Sequence, residues 1–163
     1  MKQLAIIWHS MTGGSEALAQ AAYNGAVRGQ GVNVLMLNAA EADVEHILTA
    51  DGYLFVFPEN LAAISGGMKS FFDRCYYPCL GALNGRAYAM IICAGSDGRN
   101  AVAQAERIAT GWRLRQIAPS AIVCTHAQTQ EAILAPKTID KVDLSAAAEL
   151  GEQIATGLQM GIY

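Results

Sequence analysis

The sequence predicts an α/β fold in which a five-stranded parallel sheet carries helices on both faces. Three observations predict it: apolar runs of strand length recur five times, the segments between them show helical periodicity, and the two alternate along the chain. Right-handed crossovers leave few ways to connect such elements, and five strands with alternating helices match the order 2-1-3-4-5.

The strand candidates are residues 4–8, 32–37, 53–58, 87–94 and 121–125. They lack a clean alternation of apolar and polar residues, as expected of strands covered on both faces. After the first, Leu18, Ala21, Ala22 and Ala26 fall on one helical stripe, which Gly29 and Gly31 end. A weaker helical segment, 42–48, separates strands two and three. After the third strand, Met68, Phe71, Phe72 and Cys75 repeat at helix spacing behind Ser65, an N-cap candidate. Val102, Ala105, Ile108, Ala109 and Trp112 do the same after the fourth. Leu144, Ala147, Ala148, Gly151, Ile154 and Leu158 mark a C-terminal amphipathic helix. No repeat, low-complexity stretch or linker divides the chain, so residues 1–163 are expected to form one domain.

Composition narrows the function. The chain is 53% apolar and 15% charged, which excludes intrinsic disorder, and no apolar run approaches the ~20 residues that span a bilayer. The net charge is −3 and the eleven Lys and Arg are scattered, so neither nucleic acid nor membrane is an expected partner. The N-terminal apolar stretch is short for a secretion signal and reads as a first strand of a cytoplasmic protein. Cys93 and Cys124 lie in apolar runs as inert small hydrophobes, and Cys75 and Cys79 lack the further ligands of a metal site. No metal is expected.

In a sheet of this kind ligands bind beyond the carboxyl ends of the strands, so the loops after Trp8, Pro58 and Ala94 are the ones to inspect. The first reads Ser10, Met11, Thr12, Gly13, Gly14, Ser15 and runs directly into a helix. Glycine permits a tight turn, the helix N-terminus carries partial positive charge, and three hydroxyls are available as donors. Neither a lysine-bearing phosphate loop nor a Gly-x-Gly-x-x-Gly pattern is present, so triphosphates and pyrophosphates are disfavoured and a monophosphate held by neutral donors remains. The same residues also suit an ordinary strand-to-helix turn with Ser15 as N-cap.

The run Ser10-x-Thr12-Gly13-x-Ser15 between strand and helix resembles the FMN phosphate loop of flavodoxins and related flavin reductases. Residues 50–60 and 65–74 are similar to the third strand, flavin loop and following helix of the NAD(P)H-dependent FMN reductase and quinone reductase families. Residues 94–98 resemble their second ring-contacting loop. The resemblance implies a flavodoxin-like three-layer sandwich with FMN as cofactor and NAD(P)H as co-substrate. It implies that residues 10–15 hold the phosphate, while Pro58, Glu59, Asn60 and Leu61, with Ala94, Gly95, Ser96, Asp97 and Gly98, edge the flavin ring. A homodimer or tetramer is implied as well.

Hydride chemistry belongs to the flavin, so no catalytic side chain is expected. His9 supports the phosphate loop from outside, His46 is a surface residue and His126 an ordinary loop histidine. Arg99 is either a cation for the flavin or nucleotide, or a solvated residue at a helix start. Residues 59–64 and 94–100 hold no aromatic, which leaves room for nicotinamide to stack and favours reduction of a quinone or other small acceptor. The alternatives are a one-electron flavodoxin-type carrier and an interaction module of the same fold without cofactor, the latter suggested by Ala62 and Ala63.

Overall fold

The computed structural model describes residues 1–163. In chain order the elements are β1 (Lys2–Trp8), α1 (Gly14–Ala26), β2 (Val32–Asn38), α2 (Val44–Thr49), β3 (Gly52–Asn60), β4 (Ala63–Ile64), α3 (Gly66–Cys79), β5 (Ala87–Ala94), α4 (Arg99–Gly111), β6 (Arg115–Gln116), β7 (Ala121–Cys124), α5 (Gln130–Leu134) and α6 (Lys141–Gln159). The main sheet runs β2-β1-β3-β5, and both β6 and β7 pair with the outer side of β5. All these pairings are parallel, with Trp8 opposite Val56, Pro58 opposite Cys93, and Ala94 opposite Cys124. The order expected from the sequence holds once the edge strand is seen as two pieces. Ile117, Ala118, Pro119 and Ser120 lie between those pieces, opposite only Ala89 and Met90, and Pro119 has no N–H to donate to a ladder.

Successive residues of β1 point to opposite faces, and both faces are apolar. Ala5 and Ile7 join Phe55, Phe57, Phe71, Phe72 and Trp112 under α2, α3 and α4. Phe71 and Phe72 are 5.3 Å apart between ring centres, and Phe72 and Trp112 are 5.7 Å apart. Leu4 and Ile6 join Leu54, Val56, Ile91, Leu18, Ile154 and Leu158 under α1 and α6. Helices α1 and α6 approach closely because two glycines face each other's backbone. A Cβ on Gly25 would lie 1.8 Å from the Ala148 carbonyl oxygen, and one on Gly151 would lie 2.0 Å from that of Ala22. No helix is long and apolar enough to cross a membrane.

Helix α2 spans Val44–Thr49, and Asp43 caps it by accepting from the His46 N–H. Ser65 is the N-cap residue of α3, yet its hydroxyl makes no capping bond. It pairs with His9 instead.

Strand β3 extends past Pro58 and folds back through Leu61 and Ala62 into β4, with Glu59 opposite Ile64 and Asn60 opposite Ala63. Both turn residues are left-handed, at φ +50° and +59°, the arrangement of a type I′ hairpin turn. Such turns favour Asn-Gly, so Leu-Ala conceals the hairpin in the sequence. The tertiary structure holds it: Asn100 Nδ2 donates to the Ala62 carbonyl, and the Ile64 N–H donates to Gln104 Oε1 at 3.0 Å.

Candidate functional site

The carboxyl ends of β1, β3, β5 and β7 meet at one edge of the sheet, and three segments leave it there. After β1, the His9 N–H donates to the Val56 carbonyl at 3.0 Å, so the first loop rises between β1 and β3. Ser10 Oγ accepts from the Gly13 N–H at 2.9 Å and closes that loop. Gly13 is the N-cap of α1 at φ +95°, which glycine adopts without strain, and no side chain caps the helix. Consequently the main-chain N–H groups of Met11, Thr12, Gly14, Ser15 and Glu16 have no acceptor in the protein. Ser15 lies inside the first turn rather than at the N-cap; its Oγ is buried and unpartnered beside the Cys93 thiol. Gly14 is needed for close packing, because a Cβ there would stand 2.9 Å from Cys93 Sγ.

The second segment is the β3–β4 hairpin. Pro58, Glu59 and Asn60 face the cleft, whereas Leu61 at the turn is fully exposed. Glu59 Oε2 is buried without a partner. The third segment follows β5. Ala94 and Gly95 face the cleft, Ser96 and Asp97 are exposed, and Gly98 at φ +85° is the N-cap of α4. Arg99 Nε donates to Asp97 Oδ1 at 2.6 Å, and that bond holds the Asp97 carboxyl below the ordinary range. Arg99 is therefore engaged within its own loop.

The fourth wall is absent from the sequence reading. The N–H groups of Thr125 and His126 donate to the Ala94 and Gly95 carbonyls at 2.9 and 2.8 Å, with His126 left-handed at φ +57°. Helix α5 follows, and the Lys137 N–H then donates to the Thr12 carbonyl at 2.8 Å. This returning chain brings Thr125, Ala127, Ile133, Leu134 and Lys137 against the loops already described. The result is a cleft of about 320 Å³ at the sheet edge, with Cys93 on its lining. Glu59 and Lys137 are its charged residues, and it has no aromatic. Burial pushes the Cys93 thiol up to about 11, so it stays neutral near pH 7.

Of the expected residues, Met11, Thr12, Pro58, Glu59, Asn60, Ala94 and Gly95 thus line one cleft. Ser10, Gly13, Gly14 and Ser15 build the turn beneath it. Leu61, Ser96, Asp97 and Gly98 lie outside the lining. A larger groove of about 750 Å³ passes Tyr76 and Ile108 between α3 and α4; it touches the hairpin only at Ala63 and Ile64 and contains no residue of the first loop or of the β5 loop.

The sequence profile of the NADPH-dependent FMN reductases matches residues 35–129, which run from β2 to the start of α5 and take in the hairpin and the β5 loop. The chain belongs to the NADPH-dependent FMN reductase family. A flavodoxin of Aquifex aeolicus (strain VF5) is 32% identical over 104 residues, 63% of this chain. That alignment spans 56% of the flavodoxin's own length. Among solved structures, the flavodoxin WrbA-like protein from Agrobacterium tumefaciens superposes with a TM-score of 0.75 at 14% identity, covering 98% of this chain and 99% of that one. The apo form of an NADH:FMN oxidoreductase (EMOB) superposes at 0.70 and 16% identity, covering 97% and 90%. These superpositions establish a flavodoxin-like fold. Within this member of the FMN reductase family, the matched stretch takes in Thr125 and Ala127 but excludes both the first loop and Lys137.

Proposed function

We propose that this protein binds FMN in the cleft and uses it to pass reducing equivalents from NADH or NADPH to a quinone or other small acceptor. The observation that carries the reading is the unsatisfied donor set at the first loop. Five main-chain N–H groups and the buried Ser15 hydroxyl have no protein partner, at the start of a helix whose dipole favours an anion. Gly14 and Ser15 are buried, such polar groups are rarely left unpaired, and a ligand phosphate satisfies them together with the more open N–H groups of Met11, Thr12 and Glu16.

In this reading Ser10, Met11, Thr12, Gly13, Gly14 and Ser15 form the phosphate seat. Gly13 shapes the turn, its own N–H being held by Ser10. Pro58, Glu59 and Asn60 edge the ring from one side and Ala94 and Gly95 from the other, while Leu61, Ser96, Asp97 and Gly98 complete the loops that carry them. Glu59, with one oxygen buried and free, is placed to accept from a ring N–H. Bound FMN supplies hydride acceptance and donation. The protein binds it, sets the apolar side chains of Met11, Ile133 and Leu134 along the cleft, and leaves an aromatic-free approach for nicotinamide.

The 32% identity to a flavodoxin favours a second reading, a one-electron carrier. Anaerobic mixing of the FMN-loaded protein with NADH and with NADPH separates the two. Rapid bleaching of the flavin bands, restored by a quinone, supports the reductase. Reduction by dithionite but not by either nucleotide supports the carrier. Titration that gives equal or tighter binding of FAD, or no flavin binding at all, overturns the FMN assignment.

A further inference from the structure

The phosphate seat contains no cation of its own, and Arg99 is paired with Asp97. Lys137 is the basic residue that reaches the loop. Its main-chain N–H holds the Thr12 carbonyl, and its Cβ lies 3.4 Å from where a Cβ on Gly14 would stand, so its stem rests on the first turn of α1. Its Nζ donates to the carbonyls of Ile133 at 2.8 Å and Ala135 at 2.6 Å. No carboxylate pairs with it, and the neighbouring Cys93 thiol supplies no negative charge. An ammonium has three N–H donors, and two are used. A half-buried cation that makes no ion pair, Glu59 being the one carboxylate of the cleft, therefore lines the same cleft as Thr12, beside amides that also lack acceptors.

We propose that Lys137 is the cation of the phosphate subsite, pairing with the phosphate of the bound ligand and so selecting phosphorylated flavin over riboflavin. This rests on the FMN reading. It also assigns a role to the segment that crosses the first loop: residues 125–137 carry the positive charge that the loop lacks. The competing role for Lys137 is purely structural, as a cap on the carbonyls at the end of α5.

The test uses the full chain with Lys137→Met, which keeps the stem and loses the charge, and Lys137→Arg. FMN and riboflavin affinities are measured by flavin fluorescence at about 0.05 and 0.3 M salt, across which screening strengthens. Thermal unfolding of the flavin-free protein is followed with and without inorganic phosphate. Lys137→Met is expected to weaken FMN by about ten- to a hundredfold, the range of a hydrogen bond to a charged group, and to leave riboflavin within about twofold. It is also expected to flatten the salt dependence of FMN binding and to abolish protection by phosphate, while Lys137→Arg retains both. Equal losses for FMN and riboflavin, or FMN binding unchanged, overturn the proposal and leave the FMN reading standing. Protection of the wild type by phosphate that Lys137→Met abolishes, with no flavin bound, upholds the anion subsite and overturns the FMN reading alone. Absence of both flavin binding and phosphate protection in the wild type overturns both.

Discussion

His9 Nδ1 and Ser65 Oγ share a hydrogen bond of 2.8 Å that ties the end of β1 to the start of α3. The imidazole also occupies the space a side chain at Gly67 would need, since a Cβ there would lie 2.5 Å from the ring. The start of the first loop and the start of α3, which follows the hairpin, thus meet through His9. Burial holds the His9 imidazole below its ordinary value of 6.5, so the native state favours the neutral ring. Its contribution to stability is complete above the unfolded-state value, about 6.5, and is lost as pH falls below it toward the lower native value. Chemical denaturation of wild type and His9→Gln between about pH 7.5 and 5 should show a fall in wild-type stability that the variant lacks. Parallel profiles would remove His9 as the source.

Ser15→Ala separates ligand binding from folding. The hydroxyl is buried and unpartnered, so its removal should leave the flavin-free protein as stable as wild type or slightly more so. FMN affinity should fall by about ten- to a hundredfold. Thr12→Ala should weaken FMN in the same direction. Isothermal titration paired with thermal unfolding gives both quantities, and a collapse in stability with unchanged affinity would make the loop a helix start and nothing more.

The hairpin turn stores backbone strain. A left-handed conformation costs a residue with a side chain roughly 1–2 kcal/mol, and Leu61 and Ala62 both adopt it. Replacing the pair by Leu61→Asn with Ala62→Gly should raise stability by about 1–2 kcal/mol, read as a higher urea midpoint at constant m-value. No gain would mean that the turn relaxes in solution.

The contact of α1 with α6 has no room for a methyl group. Gly151→Ala forces a Cβ to within 2.0 Å of the Ala22 carbonyl oxygen, which only separation of the helices relieves. A loss of about 2–3 kcal/mol is expected in denaturant titration, and Gly25→Ala should behave alike. By comparison, Gly66→Ala meets nothing within 4 Å and serves as the control.

Much of the fold was legible because burial on both faces writes a continuous apolar run into each main strand. The segment 87–94 appears in the structure with those same limits, and all eight of its residues are buried. The stripe of Met68, Phe71, Phe72 and Cys75 faces the core as its spacing requires. The order of the strands followed from handedness, and the three loops at the carboxyl edge from that order. The sequence by itself therefore determined the layers, the edge of the sheet that carries the cleft and the chemical character of the first loop.

What only the tertiary structure decided depends on main-chain bonds between distant residues, which leave no pattern in side chains. The tether from Lys137 to Thr12 uses a backbone N–H that any residue except proline provides. Helix α5, at five residues, is too short to show a period. The Leu61–Ala62 turn breaks its own local preference and is held by Asn100 and Gln104 from α4. Likewise Ser65, legible as a cap, gives its hydroxyl to His9 because folding brings β1 beside α3. For the Lys137 tether, the hairpin turn and Ser65 the deciding partner is about 38 or more residues away in sequence, so local propensity carries no trace of it.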